Sequence, residues 1–265
     1  MGYFSIEVKP DVVDGDISDV IAANKDDNPY SIGQTVFDWT AFDIPKGSAK
    51  LESVCAYVMG EDGGQQTDTD LYLIFAKTIN GNAPASLGTN GAVMSTGFDM
   101  PTALVGACKL EGTTEGQGTI DGPAFGQIYV AGPNSANGMN PNGVFTGEPD
   151  SGTNVGYDKL YVAGIAGGAI DFSTGILLDM ADDADIDAST DELTSITVGG
   201  VDPRKCFQVG DTAYVHDVDT QIPGTVASMT STTITFSETN STIDIANDDE
   251  IINANPIKLI LGFER

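Results

Sequence analysis

Apolar and polar residues alternate with a period of two along much of the first 165 residues, which is the pattern of β-strands. In segment 34–42, Phe37, Trp39 and Ala41 share one predicted face, and the residues between them are polar. We therefore expect the Trp39 ring to lie in the core. The alternation predicts six strands in this part of the chain, at 3–8, 34–42, 49–59, 71–77, 125–131 and 159–163.

Two of these predicted strands, 49–59 and 71–77, carry apolar residues on both faces. In 49–59, Leu51, Cys55 and Tyr57 alternate with Val54 and Ala56. A strand that is apolar on both faces is typical of the centre of a sheet that is covered on two sides. We expect Cys55 to be a small core residue.

Two long segments rich in glycine, asparagine and proline, 78–97 and 132–152, separate the predicted strands. Loops longer than about 12–15 residues are uncommon in compact domains and usually have a function or are mobile. The second segment has almost nothing to bury. We expect it at a contact surface or poorly ordered.

The pattern changes after Leu178, where an acid-rich connector, 179–192, leads into a series of short predicted strands about ten residues apart. Even spacing with glycine-rich turns predicts a small antiparallel barrel or meander. Its strands are predicted at 193–198, 206–209, 213–217, 224–229 and 232–236.

The last segment, 257–263, is strongly apolar and needs burial, although the small module before it is complete without it. We expect this strand to return to the first sheet, close to the N-terminal strand. The sequence thus predicts an all-β protein: an antiparallel, jelly-roll-like β-sandwich of residues 1–184 plus 255–265. A small β-barrel or meander, 185–254, is inserted near the C-terminus.

The chain has 39 acidic and 11 basic residues, a formal net charge of −28. Such a surface repels phosphate backbones and anionic membrane faces, so we expect neither nucleic acid nor membrane as a partner. Solubility or adaptation to salt is the favoured explanation of this charge. Docking onto a basic surface and binding of divalent cations stay open as alternatives. With no signal peptide and no run of about 18 apolar residues, we expect a soluble protein made in a cytoplasm.

Candidate catalytic residues do not form a convincing set. His216 is the single histidine, and Asp217 beside it would point to the opposite face of the predicted strand, where it could not orient the imidazole. Carboxylate pairs arise freely by chance in a chain this acidic. The pairs are Asp68 with Asp70, Glu61 with Asp62, and Asp248 with Asp249. We expect no enzyme, no catalytic residue and no cofactor.

Metal motifs fail in a similar way. Cys55, Cys108 and Cys206 are far apart and form no C-x-x-C pair, which argues against zinc and redox sites. Segment 183–192 alternates acids as a calcium loop does, but Thr190 and Ile196 stand where an EF-hand beginning at Asp185 needs glycine and glutamate. An acidic solvated connector is the favoured interpretation, with a looser oxygen site left open. No residue is predicted to bind metal.

Six segments together resemble virion structural proteins of marine tailed phages: 4–10 (FSIEVKP), 33–47 (GQTVFDWTAFDIPKG), 75–77 (FAK), 81–88 (GNAPASLG), 152–163 (GTNVGYDKLYVA) and 255–259 (NPIKL). They extend over most of the first predicted domain and the last strand. The resemblance implies a component of the virion, assembled in the host cytoplasm, of the capsid decoration (cement) type. It assigns no site residue.

The resemblance implies the major capsid protein of a phage shell as the partner, and self-association into a homo-oligomer. The alternative is a receptor- or carbohydrate-binding β-sandwich of a phage tail or fibre. A sugar platform needs exposed rings, and the only tryptophan, Trp39, lies in a strand predicted to be buried. A tail or neck ring component stays open as a third class.

Overall fold

The computed structural model describes residues 2–12, 30–59, 69–78, 82–95, 103–112, 119–120, 126–131, 143–146, 157–170, 176–177, 193–199, 202–215, 224–240 and 250–265. The protein is all-β, and the strand pairings within these ranges are antiparallel. A single turn of 3-10 helix spans Pro203–Lys205. The strands are β1 (Tyr3–Val8), β2 (Thr35–Pro45), β3 (Ser48–Met59), β4 (Leu71–Lys77), β5 (Leu104–Leu110), β6 (Thr119–Ile120), β7 (Gly126–Ala131), β8 (Val144–Thr146), β9 (Tyr157–Ala166), β10 (Ile176–Leu177), β11 (Leu193–Thr197), β12 (Thr212–Val215), β13 (Gly224–Met229), β14 (Thr233–Asn240), β15 (Glu250–Asn253) and β16 (Ile257–Glu264).

Two of the three sheets pack face to face. The first sheet has the order β1-β16-β3-β7-β6, with β8 also paired to β3, and the second has the order β2-β9-β4-β5. Rings from the two sheets meet between them: Phe42 and Phe263 have centroids 6.4 Å apart, and Phe75 and Phe145 5.3 Å. Between β1 and β9 the chain changes sheet at five of its eight connections. The predicted antiparallel all-β class is confirmed.

The C-terminal strand β16 lies inside the first sheet, between β1 and β3. Its residues 257, 259, 261 and 263 are buried, while the residues between them face outward. Burial of such a side chain contributes about 1.5–3 kcal/mol. The backbones of Gly2 and Arg265 continue the ladder with N···O distances of 3.0 and 2.9 Å. The prediction that this strand returns to the N-terminal strand is confirmed.

Strand β2 departs from the predicted alternation. Register shifts between residues 35 and 37 and between 37 and 40 interrupt its pairing with β9. A bulge adds an unpaired residue and so turns the following side chains to the other face. Phe37 and Phe42 are therefore both buried, Ala41 is exposed and Trp39 is half-buried. The prediction that Trp39 shares the core face with Phe37 and Ala41 is wrong.

Trp39 packs instead against a small cluster on the outer face of the second sheet. Its Nε1 donates to the carbonyl of Ala85 at 3.0 Å, and the Leu87 N–H donates to Asp38 Oδ1 at 3.0 Å. The described part of segment 78–97 thus covers this sheet, and β4 is covered on both sides as predicted. The cluster comprises Ala76, Leu87, Ala103, Tyr161 and Ala163, with Trp39, Ile74, Met94 and Ile165 packed against it.

Five of the described strands were not predicted: β5, β6, β8, β10 and β15. Two of them, β5 and β8, are linked by a single side-chain contact. β8 lies within segment 132–152, and its Phe145 is buried in the core. The alternation of β5 is broken by Gly106, where a Cβ would come within 2.9 Å of the Phe145 ring. The expectation that 132–152 has almost nothing to bury is therefore wrong at Phe145. The rest of that segment lies outside the described residues.

The third sheet has the order β10-β15-β12-β13-β14-β11 and has its own buried cluster. Strand β10 precedes residue 185 yet pairs with β15, so the domain division at that residue stays a prediction. The strand predicted at 206–209 is wrong. These residues follow the 3-10 turn and form a second turn, in which Phe207 is buried. The cluster comprises Ile196, Val198, Phe207, Ala213, Val226, Ile234, Phe236 and Ile251.

Candidate functional site: a groove between the sandwich and the C-terminal module

A groove of about 330 Å³ lies between the outer face of the first sheet and the 3-10 turn. Neighbouring strand residues point to opposite faces. Cys55 and Tyr57 of β3 therefore face the groove, while Val54 and Ala56 face the core. Ile128 of β7 and Ile260 of β16 extend the same outward surface. The floor of the groove is thus largely apolar.

The opposite wall is built by the 3-10 turn. Asp202 caps it by accepting from the backbone N–H of Arg204 at 3.1 Å, and Pro203 is preorganised for the first position of the turn. The Arg204 guanidinium also donates to Asp202, with Nη2 2.6 Å from Oδ2. These hydrogen bonds lower the pKa of Asp202 to about 2. The turn therefore presents Arg204 and Lys205 at the groove.

Asp211 closes one end of the groove and ties the module to the N-terminal segment. Its side chain is 3% exposed, and Oδ1 lies 2.8 Å from Lys9 Nζ. The other carboxylate oxygen accepts from the Gln208 N–H at 2.7 Å and from Asn253 Nδ2 at 3.0 Å. A buried charge is tolerated when it is paired and hydrogen-bonded in this way. We call this group the Asp211 latch.

Asn255 adds a second tie beside the Asp211 latch. Its Nδ2 donates to the carbonyl of Pro10 at 3.1 Å, and its Oδ1 accepts from the Thr212 N–H at 2.9 Å. The N–H of Val12 donates to the carbonyl of Ala254 at 2.9 Å. Residues 9–12 are therefore bonded both to the module and to the strand that leads back into the sandwich.

The groove is locally basic on a strongly acidic molecule. Among the described residues that line it there is one acid, Asp211, although the chain has 39 acidic and 11 basic residues. The basic residues that line it are Lys9, Arg204, Lys205 and Lys258. Lys258 forms an ion pair with Glu7 at 3.0 Å, as Lys9 does with Asp211 and Arg204 with Asp202. We call these four residues the basic rim of the groove; Lys258 lies on the side of the floor, across from Tyr57, and Lys9, Arg204 and Lys258 are each paired with a carboxylate.

Two of the three cysteines, Cys55 and Cys206, line the groove. Burial raises the pKa of both thiols, that of Cys206 to about 11, so both are neutral at pH 7. Cys55 was predicted to be a core residue and is instead half-buried on the outer face. Cys108 is the cysteine in the sandwich core, where burial raises its pKa to about 12. A neutral thiol is a weaker nucleophile than a thiolate.

Few of the residues considered from sequence fall within the described ranges. Asp70 does, and it forms an ion pair with Lys109 at 2.8 Å and accepts from the Gly112 N–H at 3.1 Å, which fastens β4 to the end of β5. His216, Asp217, Asp68, the Glu61–Asp62 and Asp248–Asp249 pairs and segment 183–192 lie outside the described residues. Across the described part of the chain, no group of three His, Cys, Asp or Glu residues is arranged to hold a metal ion.

Sequence reasoning missed the groove because its lining comes from distant parts of the chain, from Lys9 to Ile260. The one local signal was the pair Arg204-Lys205 in a chain with few basic residues. No helix in the described ranges has the length and apolarity needed to span a bilayer. The sequence matches no protein-family model, and a search of curated proteins finds no match.

Proposed function

We propose that this protein is a virion structural component that binds an assembled protein shell, as a capsid decoration protein binds the major capsid protein. The observation that carries the proposal is a pair of exposed apolar side chains, Ile32 and Val93, on two segments that a β-bridge joins; we call them the Ile32–Val93 patch. Ile32 and Val93 are 76% and 73% exposed. Large apolar side chains that face solvent together are characteristic of surfaces that contact another protein.

The backbone beneath this Ile32–Val93 patch is well fastened. Gln34 and Val93 form a β-bridge, and the N–H of Gly33 donates to the carbonyl of Ala166 at 2.8 Å. The N–H of Met94 donates back to the carbonyl of Gly33 at 3.2 Å. A preorganised patch loses little conformational entropy when it binds, which favours a lasting structural contact. The second sheet, which begins at Thr35 beside the patch, is packed on both faces.

A receptor- or carbohydrate-binding role in a tail or fibre is the second candidate. It is favoured by the half-buried position of Trp39 and by Tyr72, which is partly exposed with Lys109 Nζ 6.0 Å from its ring centre. Sugar platforms need an open ring face for stacking. The bond from Trp39 Nε1 to Ala85 and the packing of its ring hold Trp39 against the sheet, which makes the shell-binding role the better supported of the two.

Co-sedimentation with tailed-phage particles prepared without the protein tests the proposal. We expect the wild-type protein to pellet with the particles, and the Ile32→Asp, Val93→Asp double variant to stay in the supernatant. Val144→Asp is the matched control, because Val144 is 67% exposed on the other sheet. If the wild-type protein never pellets, at low or high salt, the shell-binding role is wrong. Binding to a glycan array would then support the second candidate.

A further inference from the structure

We infer that the groove holds an extended segment of a partner polypeptide that alternates apolar and acidic side chains, such as an arm of the shell protein. The inference rests on the proposed function and adds a second contact, the groove, to the Ile32–Val93 patch. The groove combines an apolar floor with a basic rim, and the residues of both come from distant parts of the sequence.

The floor of the groove is apolar and partly exposed. At the other end of the same sheet face, Ser5, Ser53 and Lys50 stand beside two exposed side chains, Tyr3 and Val144. In the groove the outward residues are Ile128, Tyr57 and Ile260. Ile260 is 39% exposed even with the module in place, so the module does not fill the groove. Apolar side chains of a partner would bury this surface, at about 25 cal/mol per Å².

The charge of the rim determines which charge the occupant carries. The four basic residues of the rim favour carboxylates beside the apolar contacts. An ammonium group has three N–H donors and a guanidinium has five, so an existing ion pair leaves capacity for a further carboxylate. Arg204 binds Asp202 through Nε and Nη2, and the outer edge of its guanidinium, Nη1 and Nη2, can still donate two parallel hydrogen bonds to a further carboxylate.

The net charge of −28 does not prevent an acidic segment from binding here. At physiological ionic strength, charges further away than about 8 Å are largely screened. The occupant therefore responds mainly to the charges at the groove itself, where the four basic residues outnumber the carboxylates of their three described ion pairs, Asp202, Asp211 and Glu7. The volume of about 330 Å³ is at the lower end of the range for ligand sites, roughly 300–1,000 Å³. This size suits a few anchoring side chains of an extended peptide.

Fluorescence anisotropy with three labelled ten-residue peptides tests the chemistry. The first alternates Leu with Asp or Glu, the second replaces the acids by Asn or Gln, and the third replaces Leu by Ser. We expect the first peptide to bind at least about tenfold more tightly than either of the others. Its affinity should fall when salt is raised from 50 to 500 mM. Equal binding of the first and second peptides would overturn the inference.

Two variants locate the site. Ile260→Glu places a charge in the floor, and Arg204→Gln removes one from the rim; both side chains are partly or largely exposed, so the fold should tolerate the changes. We expect about tenfold weaker binding of the acidic peptide to each. Val144→Glu, the matched control on the same sheet away from the groove, should bind like the wild type. Wild-type affinity in both groove variants would show that the peptide binds elsewhere.

The two proposals fail in different ways. If the acidic peptide binds the groove but the protein never pellets with particles, the shell-binding role is wrong and the groove proposal stands. If the wild-type protein and Ile260→Glu both pellet fully, the shell-binding role stands and the groove is not the contact. Loss of pelleting in Ile260→Glu, with retention in Val144→Glu, supports both.

Discussion

At the scale of single residues, two aromatic rings of the sandwich core each lie directly against a glycine, in the space that any other residue would fill with its side chain. The Phe37 ring lies over Gly164, its partner across the β2–β9 pair, and a Cβ at that position would overlap the ring. The Phe145 ring lies over Gly106 in the same manner. Glycine is needed at both positions for close approach, because no smaller side chain exists.

Gly164→Ala should therefore destabilise the protein by about 1–3 kcal/mol, the usual cost of forcing an extra group into a packed core. Urea unfolding followed by tryptophan fluorescence measures the change. Gly2→Ala is the control, since nothing lies within 4 Å of a Cβ at Gly2. An unchanged midpoint for Gly164→Ala would show that Phe37 can move aside at little cost.

The three thiols should differ in reactivity for a related reason. The thiolate is the reactive species, and raising the pKa lowers its fraction at pH 8. We expect Cys108, with a pKa of about 12 and a buried position, to react with a maleimide only after unfolding. Cys206, with a pKa of about 11, should react slowly. Peptide mapping after timed labelling of the native protein checks this order; fast labelling of Cys108 would contradict the buried position.

At the scale of elements, strand β16 connects the two sheets of the sandwich through its Phe263 side chain. Phe263 on this strand contacts three other rings, at 5.4 Å from Phe4, 6.4 Å from Phe42 and 6.2 Å from Phe145. These partners come from β1, β2 and β8, so one side chain joins both sheets. Aromatic pairs in such arrangements contribute beyond the area they bury.

Phe263→Ala should cost about 3–5 kcal/mol, as truncation of a large buried aromatic does. The free energy of unfolding from urea titration measures it. Ile260→Ala, on the outward face of the same strand, controls for general effects on β16 and should cost clearly less, because Ile260 is partly exposed. Equal costs for the two variants would argue against a central place for the ring cluster.

At the scale of the whole molecule, the Asp211 latch joins the module to the sandwich. Tyr214 and Ala254, which flank the latch along the chain, belong to the hydrophobic cluster of the sandwich and not to that of the module. Polar and apolar contacts therefore act at the same junction.

Asp211→Ala should weaken this junction, because it removes the buried carboxylate that pairs with Lys9 and accepts from the Gln208 N–H. Breaking one partner of a buried pair costs about 3–5 kcal/mol. Limited proteolysis should then cut the module faster, while the sandwich stays protected. Asp202→Ala, which removes an acid from the neighbouring exposed pair, is the control. Uniform cleavage of both parts would contradict a local latch.

Net charge gives a second prediction at this scale. A charge of −28 destabilises the compact state through self-repulsion, and salt shortens the screening length from about 30 Å at 0.01 M to about 8 Å at 0.15 M. Stability should therefore increase with salt. Calorimetry in 10 and 500 mM sodium chloride should show a higher Tm at the higher concentration, and a lower Tm would mean that attractive ion pairs outweigh the repulsion.

The sequence by itself determined the fold class and most strands, because a period of two is a local property that survives in any antiparallel sheet. Strands 3–8, 71–77 and 224–229 were predicted at their observed bounds. The return of the last strand also followed from local information. A run as apolar as 257–263 must be buried, and the first sheet offered the space.

Only the tertiary structure decided the features that depend on a partner strand or on distant residues. The bulges of β2 arise from its register with β9, and they moved Trp39 to the outer face. β5 was not predicted from sequence because Gly106 interrupts its alternation of apolar and polar residues. Glycine stands there because the Phe145 ring leaves no room for a side chain. The groove joins residues from Lys9 to Ile260, which come together only when β16 closes the sheet beside the module. Local periodicity records which face a residue takes in a regular strand, but it holds no information on bulges or on what packs across from it.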